Sequence, residues 1–351
     1  MVDVTLSVDD RQLIQWIESA QQRGMKVEDW LIDRVNSIIE VKGEDIDDKL
    51  IVENQALSGL AERAWDRRSR AGDALADRQF GSRSFLRLES IRGEPPIGPN
   101  IGKLEHEMLP TGLLRLLPMK HALRLLWSLT SETKRSLPDG EFRNAMNKML
   151  EQNGATLAEE DIQYGRGRGE RLAAGFSHLD DLARKRTVNW MIGPPGSSTK
   201  LSAMEIIGWS TRDNDGHRLT PHGVDLARLP NPIIDREIGN EGPFSPLERT
   251  LILGSIYHRL PLEWKVMRTL IDGMRGGAVG NERLDARMTR KFGENSNFEW
   301  TNSILQLRRV AAVTRMSELG LVIRRRKGRN TVSELAEDAV QLLEFTENGP
   351  E

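Results

Sequence analysis

"ELGLVIRRRKGRNTVSELAEDAVQLL", residues 318–343, and "IIGWSTRDNDGHRLTPHGVDLARL", residues 206–229, share one form. Each leaves a helix through an apolar-Gly-apolar exit, makes two short strands around a glycine-bearing tip, and enters an apolar helix. In the earlier copy the chain turns at Asp213-Asn214-Asp215-Gly216, returns through His217-Arg218-Leu219, and starts a helix capped by Thr220 with Pro221 at its first position. In the later copy a strand begins at Leu321 and turns at Lys327-Gly328-Arg329-Asn330 before the helical run ELAEDAVQLLEF.

Helical spacing precedes both hairpins. LLPMKHALRLLWSLT (116–130), EFRNAMNKMLEQNG (141–154, ended by Gly154), HLDDLARKRTVNWMI and KLSAMEIIGW lead to the first. FSPLERTLILGSIYHRL, PLEWKVMRTLIDGMRGG, ERLDARMTRKFG and SILQLRRVAAVTRMSELG lead to the second. Helices, then a two-stranded ribbon, then a helix resembles the order of winged helix-turn-helix transcription regulators. That resemblance implies one winged-helix domain over 110–238 and another over 244–346, with 347–351 a disordered tail. The stretch RGEPPIGPNIGK (92–103) has three Pro and three Gly and predicts a linker over 92–109.

Ahead of the linker, VDVTLSV (2–8) alternates with the period of a half-buried strand. Two helical stripes follow, Leu13 to Ala20 and Val27 to Ile39. Strand-helix-helix over 1–42 resembles the ribbon-helix-helix DNA-binding dimers, which implies pairing with the same strand of a second subunit. One departure is that this ribbon offers Asp3, Thr5 and Ser7 where the family uses basic or amide side chains. Residues 43–91 are assigned to a long charged helix, clearest over 44–80. The expected fold is therefore mainly α: an N-terminal strand-helix-helix, a long charged helix, then two winged helix-turn-helix domains.

Composition narrows the chemistry. With zero cysteines among 351 residues there is no disulfide, thiolate nucleophile or Cys-ligated metal. No apolar run reaches membrane-spanning length and the start lacks a signal-peptide pattern, so a cytoplasmic, nucleoid-associated protein with no membrane contact is expected. Fifty basic against fifty-two acidic residues leave a net charge of -2, so polyanion binding has to come from local clustering. The six histidines show no metal-binding spacing. "GPPGSSTK" (193–200) looks like a phosphate loop but places Lys200 after the hydroxyl residues instead of before them. No cofactor, no metal and no enzymatic activity are expected.

The basic residues cluster. Arg308, Arg309 and Arg315 fall on the helix ahead of the second hairpin, and Arg324, Arg325, Arg326, Lys327 and Arg329 on the hairpin itself. In a winged helix these two elements face DNA, so the eight cations are the predicted DNA-binding set. A second cluster, Arg166, Arg168 and Arg171 among four glycines of YGRGRGERLAAG (164–175), is a secondary polyanion contact. The acidic first hairpin is unsuited to phosphate and points to a protein partner for the first winged-helix domain.

Two functions follow. The first is a dimeric, DNA-binding transcription regulator that docks its second winged helix on double-stranded DNA. The alternative is a non-enzymatic adaptor or structural subunit of a nucleoprotein complex, serving chromosome organisation, partition or mobile-element defence.

Overall fold

The computed structural model describes residues 85–167, 169–195, 201–236, 242–294, 296–327 and 330–348. The expectations for 1–42 and for most of 43–91 lie outside these residues. From 85 to 91 the chain holds only a 3-10 turn at Leu88–Ser90, with Arg87 and Ile91 extended on either side, so the long helix expected to run to 91 does not reach that far.

The described chain is mainly helical, with four short strands. The first section holds α1 (Leu117–Thr133), α2 (Asp139–Gln163), α3 (Asp181–Ile192), the single turn α4 (Ala203–Ile206), the hairpin β1 (Ser210–Asp213) and β2 (Gly216–Leu219), and α5 (Pro221–Arg228). The second holds α6 (Pro246–Arg259), α7 (Pro261–Arg275), α8 (Asn281–Phe292), α9 (Asn302–Glu318), the hairpin β3 (Val322–Lys327) and β4 (Asn330–Leu335), and α10 (Ala339–Asn348). Residues 347 and 348, expected in a disordered tail, belong to α10, and Glu347 lies 3.4 Å from Arg268.

Local sequence starts these helices where its capping residues stand. Asp180, Thr220 and Thr301 each accept a hydrogen bond from the third residue onward, and Ser202-Glu205 and Ser245-Glu248 form complete capping boxes. Gly154, read as a helix end, lies inside α2 instead. A Cβ there would stand 2.7 Å from the Cβ of Phe176 and 2.6 Å from that of His178, so the glycine lets the 172–175 turn pack on the helix.

The two sections repeat a pattern of contacts. In the first, a single antiparallel bridge, Leu137 to His217, ties the residues between α1 and α2 to β2. In the second, the bridge Gly280 to Val332 ties the residues between α7 and α8 to β4. Helices α7, α8 and α9 pack on one another, and α9 leads into β3.

One apolar cluster runs from Phe85 to Leu343 across both sections. Buried charge crosses with it. Lys120 of α1 lies 2.9 Å from Glu248 of α6, and Glu318 at the end of α9 accepts the Leu116 and Leu117 amides at the start of α1. Arg124 is held by both oxygens of Asp235, at 2.5 and 2.6 Å.

The expected linker is part of this body. Its Gly98 amide donates to Leu219 O at 2.8 Å, the Gly93 carbonyl accepts from the Trp127 indole at 3.0 Å, and Leu104 donates to Arg259 O at 2.9 Å. Glycine is needed here for close approach, since a Cβ on Gly98 would stand 2.1 Å from Cγ2 of Thr211 in β1.

Candidate nucleic-acid interface

The structure separates the described members of the eight predicted cations into two groups. Arg315 is withdrawn from any surface role. It is 1% exposed, paired with the buried Glu263, and donates to the carbonyls of Leu113 at 3.1 Å and Pro110 at 2.7 Å. Arg309 is also committed internally, to Asp285 at 2.5 Å and Asn281 at 2.9 Å on α8. Arg308 is half-buried, donating to Leu109 O at 3.2 Å with its guanidinium 5.7 Å over the Trp300 ring. Burial lowers its pKa from the usual guanidinium value.

The physical reason is helical register. Leu305, Ala312 and Met316 are the core stripe of α9, and Arg309 stands in line with it at a four-residue step. This signal was present in the sequence, because the same spacing that assigns the apolar face assigns Arg309 to it.

The outward face of α9 carries different residues. Asn302, Ser303 and Gln306 are exposed, together with Ile304, Leu307 and Val310. The amide and hydroxyl groups are the types that read base edges, and sequence reasoning that weighed only cations passed over them.

The second hairpin keeps Arg325 outside. Val322 is buried, whereas Ile323 and Arg325 point outward. Arg325 faces Glu334 loosely, at 3.7 Å, with both side chains largely in solvent. Arg324 leans toward α9, with Thr314 Oγ1 at 3.5 Å. Burial, helped by the charges of Arg115 and Arg309, lowers its pKa. Arg326 and Lys327 continue β3, with side chains outside the described residues, and Arg329 lies wholly outside them.

The glycine-arginine loop comes to the same place. Arg115, Gly167, Gly169, Glu170, Val310, Thr314, Arg324, Arg325 and Thr331 line one open cleft of about 730 Å3. Arg115 reaches across to donate to Gly169 O at 2.6 Å. Arg166 is the loop's brace: it pairs with Asp161 at 3.1 Å, and Asp161 also accepts the Leu172 and Ala173 amides. Arg171 is exposed, and Arg168 lies outside the described residues.

Gly167, Gly169 and Glu170 of the loop and Arg324 and Arg325 of the hairpin, more than 150 residues apart in sequence, thus form two walls of one cleft, while the loop's Arg166 turns to Asp161 and neither it nor Arg171 lines the cleft. Arg115 was not identified from sequence. In "GLLRLLP" it looks like an isolated cation between helices, and only the fold sets it beside Arg324.

A cleft with three guanidinium groups and two threonine hydroxyls against the single carboxylate of Glu170, which accepts the Gly167 amide at 3.0 Å, carries a surplus of positive charge that can hold phosphate oxygens. Among the described residues no helix is long and apolar enough to cross a membrane. Compared with protein-family models, curated proteins and solved structures, the chain matches none.

Proposed function

We propose that this chain is a DNA-binding protein whose second section is a winged helix-turn-helix, with α7, α8 and α9 as its bundle and β3-β4 as its wing. The Gly280 to Val332 bridge supports that reading, because it attaches the wing to the residues between the first two helices of the bundle. One observation carries the binding proposal: Arg115, Arg324 and Arg325 converge with Gly167, Gly169 and Glu170 on one open cleft. The sugar-phosphate backbone of duplex DNA lies in it, and the role is that of a transcription regulator, without catalysis. Dimerisation through residues 1–42 is part of the same proposal and rests on their strand-helix-helix pattern alone.

The test is a salt series. Binding of duplex DNA, followed by fluorescence anisotropy, falls linearly in log K against log salt, with about 0.9 of slope per phosphate neutralised. Replacing Arg324 and Arg325 together with Ala is expected to lower the slope by about 2 for every duplex sequence. An unchanged slope and affinity would remove the cleft from DNA binding.

A second reading has its own observation. Ile304, Leu307 and Val310 form an exposed apolar stripe on α9, 41%, 57% and 39% exposed, as a protein-docking helix would. In that reading the chain is an adaptor within a nucleoprotein complex. Leu307→Ser then abolishes capture of a protein partner and leaves the salt slope on DNA unaltered, whereas in the regulator it changes sequence preference.

A further inference from the structure

The second helix of the bundle, α8, holds a set of cations that the cleft does not use. Arg283, Arg287 and Arg290 stand at i, i+4 and i+7, so they share one face over about 10 Å of helix. All three are exposed, and Lys291 flanks them. The stem of Arg287 leans on α7, where a Cβ on Gly273 would come within 3.6 Å of its Cγ, and this sets the direction of the stripe. Of the helix's two carboxylates, Asp285 is bound to Arg309 and Glu282 stands beside Arg283 in the hollow next to the wing.

A solvated helix face is the ordinary explanation of such charges. What argues against it here is continuity with the cleft. Thr331 of β4 lines the cleft that holds Arg115, Arg324 and Arg325, and it also lines a second hollow formed by Val279, Gly280, Asn281, Glu282 and Arg283. The wing is therefore flanked by Arg115, Arg324 and Arg325 on one side and by Arg283 on the other, with Thr331 common to the two.

We propose that the nucleic-acid backbone does not stop at the wing but crosses it, passing from the Arg115-Arg324-Arg325 cleft over Thr331 onto Arg283, Arg287 and Arg290 of α8. This inference rests on the DNA-binding reading and extends its footprint to a second element. The ligand is the phosphate chain of duplex DNA, met by side chains that carry no sequence information. The α8 contact raises affinity for all sequences alike and leaves preference to the outward face of α9.

The experiment uses the full chain in three forms: unaltered, Arg324→Ala with Arg325→Ala, and Arg283→Gln with Arg287→Gln and Arg290→Gln. Each is titrated with duplex DNA across a sodium chloride series, with circular dichroism to establish that each is folded. The α8 triple variant is expected to lower the salt slope by about 2.7, near 0.9 for each lost contact, on specific and random duplexes equally. Arg290→Gln alone is expected to lower it by about 0.9 and serves if the triple variant fails to fold. An α8 variant that binds as the unaltered chain does, beside a weakened wing variant, overturns the inference and leaves the cleft intact. If neither variant differs from the unaltered chain, the DNA reading itself falls. Displacement of DNA by polyglutamate of equal charge assigns the stripe to an acidic protein instead and also overturns it.

Discussion

The two hairpins have the same antiparallel form and the same kind of bridge, yet one is enclosed and the other is not. On the first, the free edge of β2 is covered at two points, by Leu137 opposite His217 and by Ile97 opposite Leu219. Its charge is cancelled locally, since Arg218 pairs with Asp213 beside Asp215. On the second, β4 is covered at Gly280, and Arg325 faces solvent with one loose carboxylate. The same order of helices and hairpin thus leaves one hairpin with its edge and charge taken up inside the molecule and the other with Arg325 open to solvent. Covering an edge and neutralising its charges removes what a partner would bind.

The sharpest way to break this contrast is at Arg315, which fixes the helix feeding the second hairpin. Arg315→Met leaves Glu263 buried without its cation and is expected to cost about 3–5 kcal/mol in chemical denaturation. Arg325→Met, on the exposed side of the same section, should cost little. Equal losses would mean that the second hairpin is as structural as the first.

Acid should act on the first section ahead of the second. Burial lowers the pKa of His121 well below 6.5, with Arg124, Arg236 and Lys120 adding to the effect. Burial also lowers that of His217 in β2, against the opposing pull of Asp139. Each takes up its proton in the unfolded chain near pH 6.5 and later in the folded one. The stability they confer is complete above pH 6.5 and falls as pH drops from there toward their folded pKa values, by up to about 2.7 kcal/mol per pH unit for the pair. Denaturation midpoints between pH 7 and 5 measure this, and His121→Gln should roughly halve the slope.

The bridges provide a matched pair. Gly216 has φ +129°, and a Cβ there would stand 2.2 Å from Leu137 O, so Gly216→Ala should cost about 2–4 kcal/mol. Gly280 has φ -91° and nothing within 4 Å of such an atom. Gly280→Ala should lie within about 0.5 kcal/mol of the unaltered chain. A large loss at Gly280 would show that its surroundings are as tight as those of the first bridge.

Much of the helical plan was legible because capping residues and apolar spacing act over a few residues. Thr220-Pro221 opens α5, and both hairpins were placed within a few residues. The errors came from residues whose meaning depends on distant partners. Gly154 signals a helix end in isolation and a close packing contact in the fold. The Pro- and Gly-rich 92–109 segment resembles a linker until the carbonyl and amide partners on both sections are known. Of the proposed site, Arg324 and Arg325 were visible as part of the hairpin cluster, whereas Arg115 and the cleft that joins them to Gly167, Gly169 and Glu170 were not, and the loop cations singled out in the sequence do not line it.

Taken alone, the sequence determined the repeat of helices and hairpin, the helix starts, and the concentration of arginine near residues 308–329. These depend on local propensity and on periodicity, which a chain carries in its order of residues. Only the tertiary structure decided which carboxylate each inward arginine meets. Whether a guanidinium meets Glu263, Asp285 or open solvent depends on elements brought together by packing, and burial is tolerated only where such a partner waits.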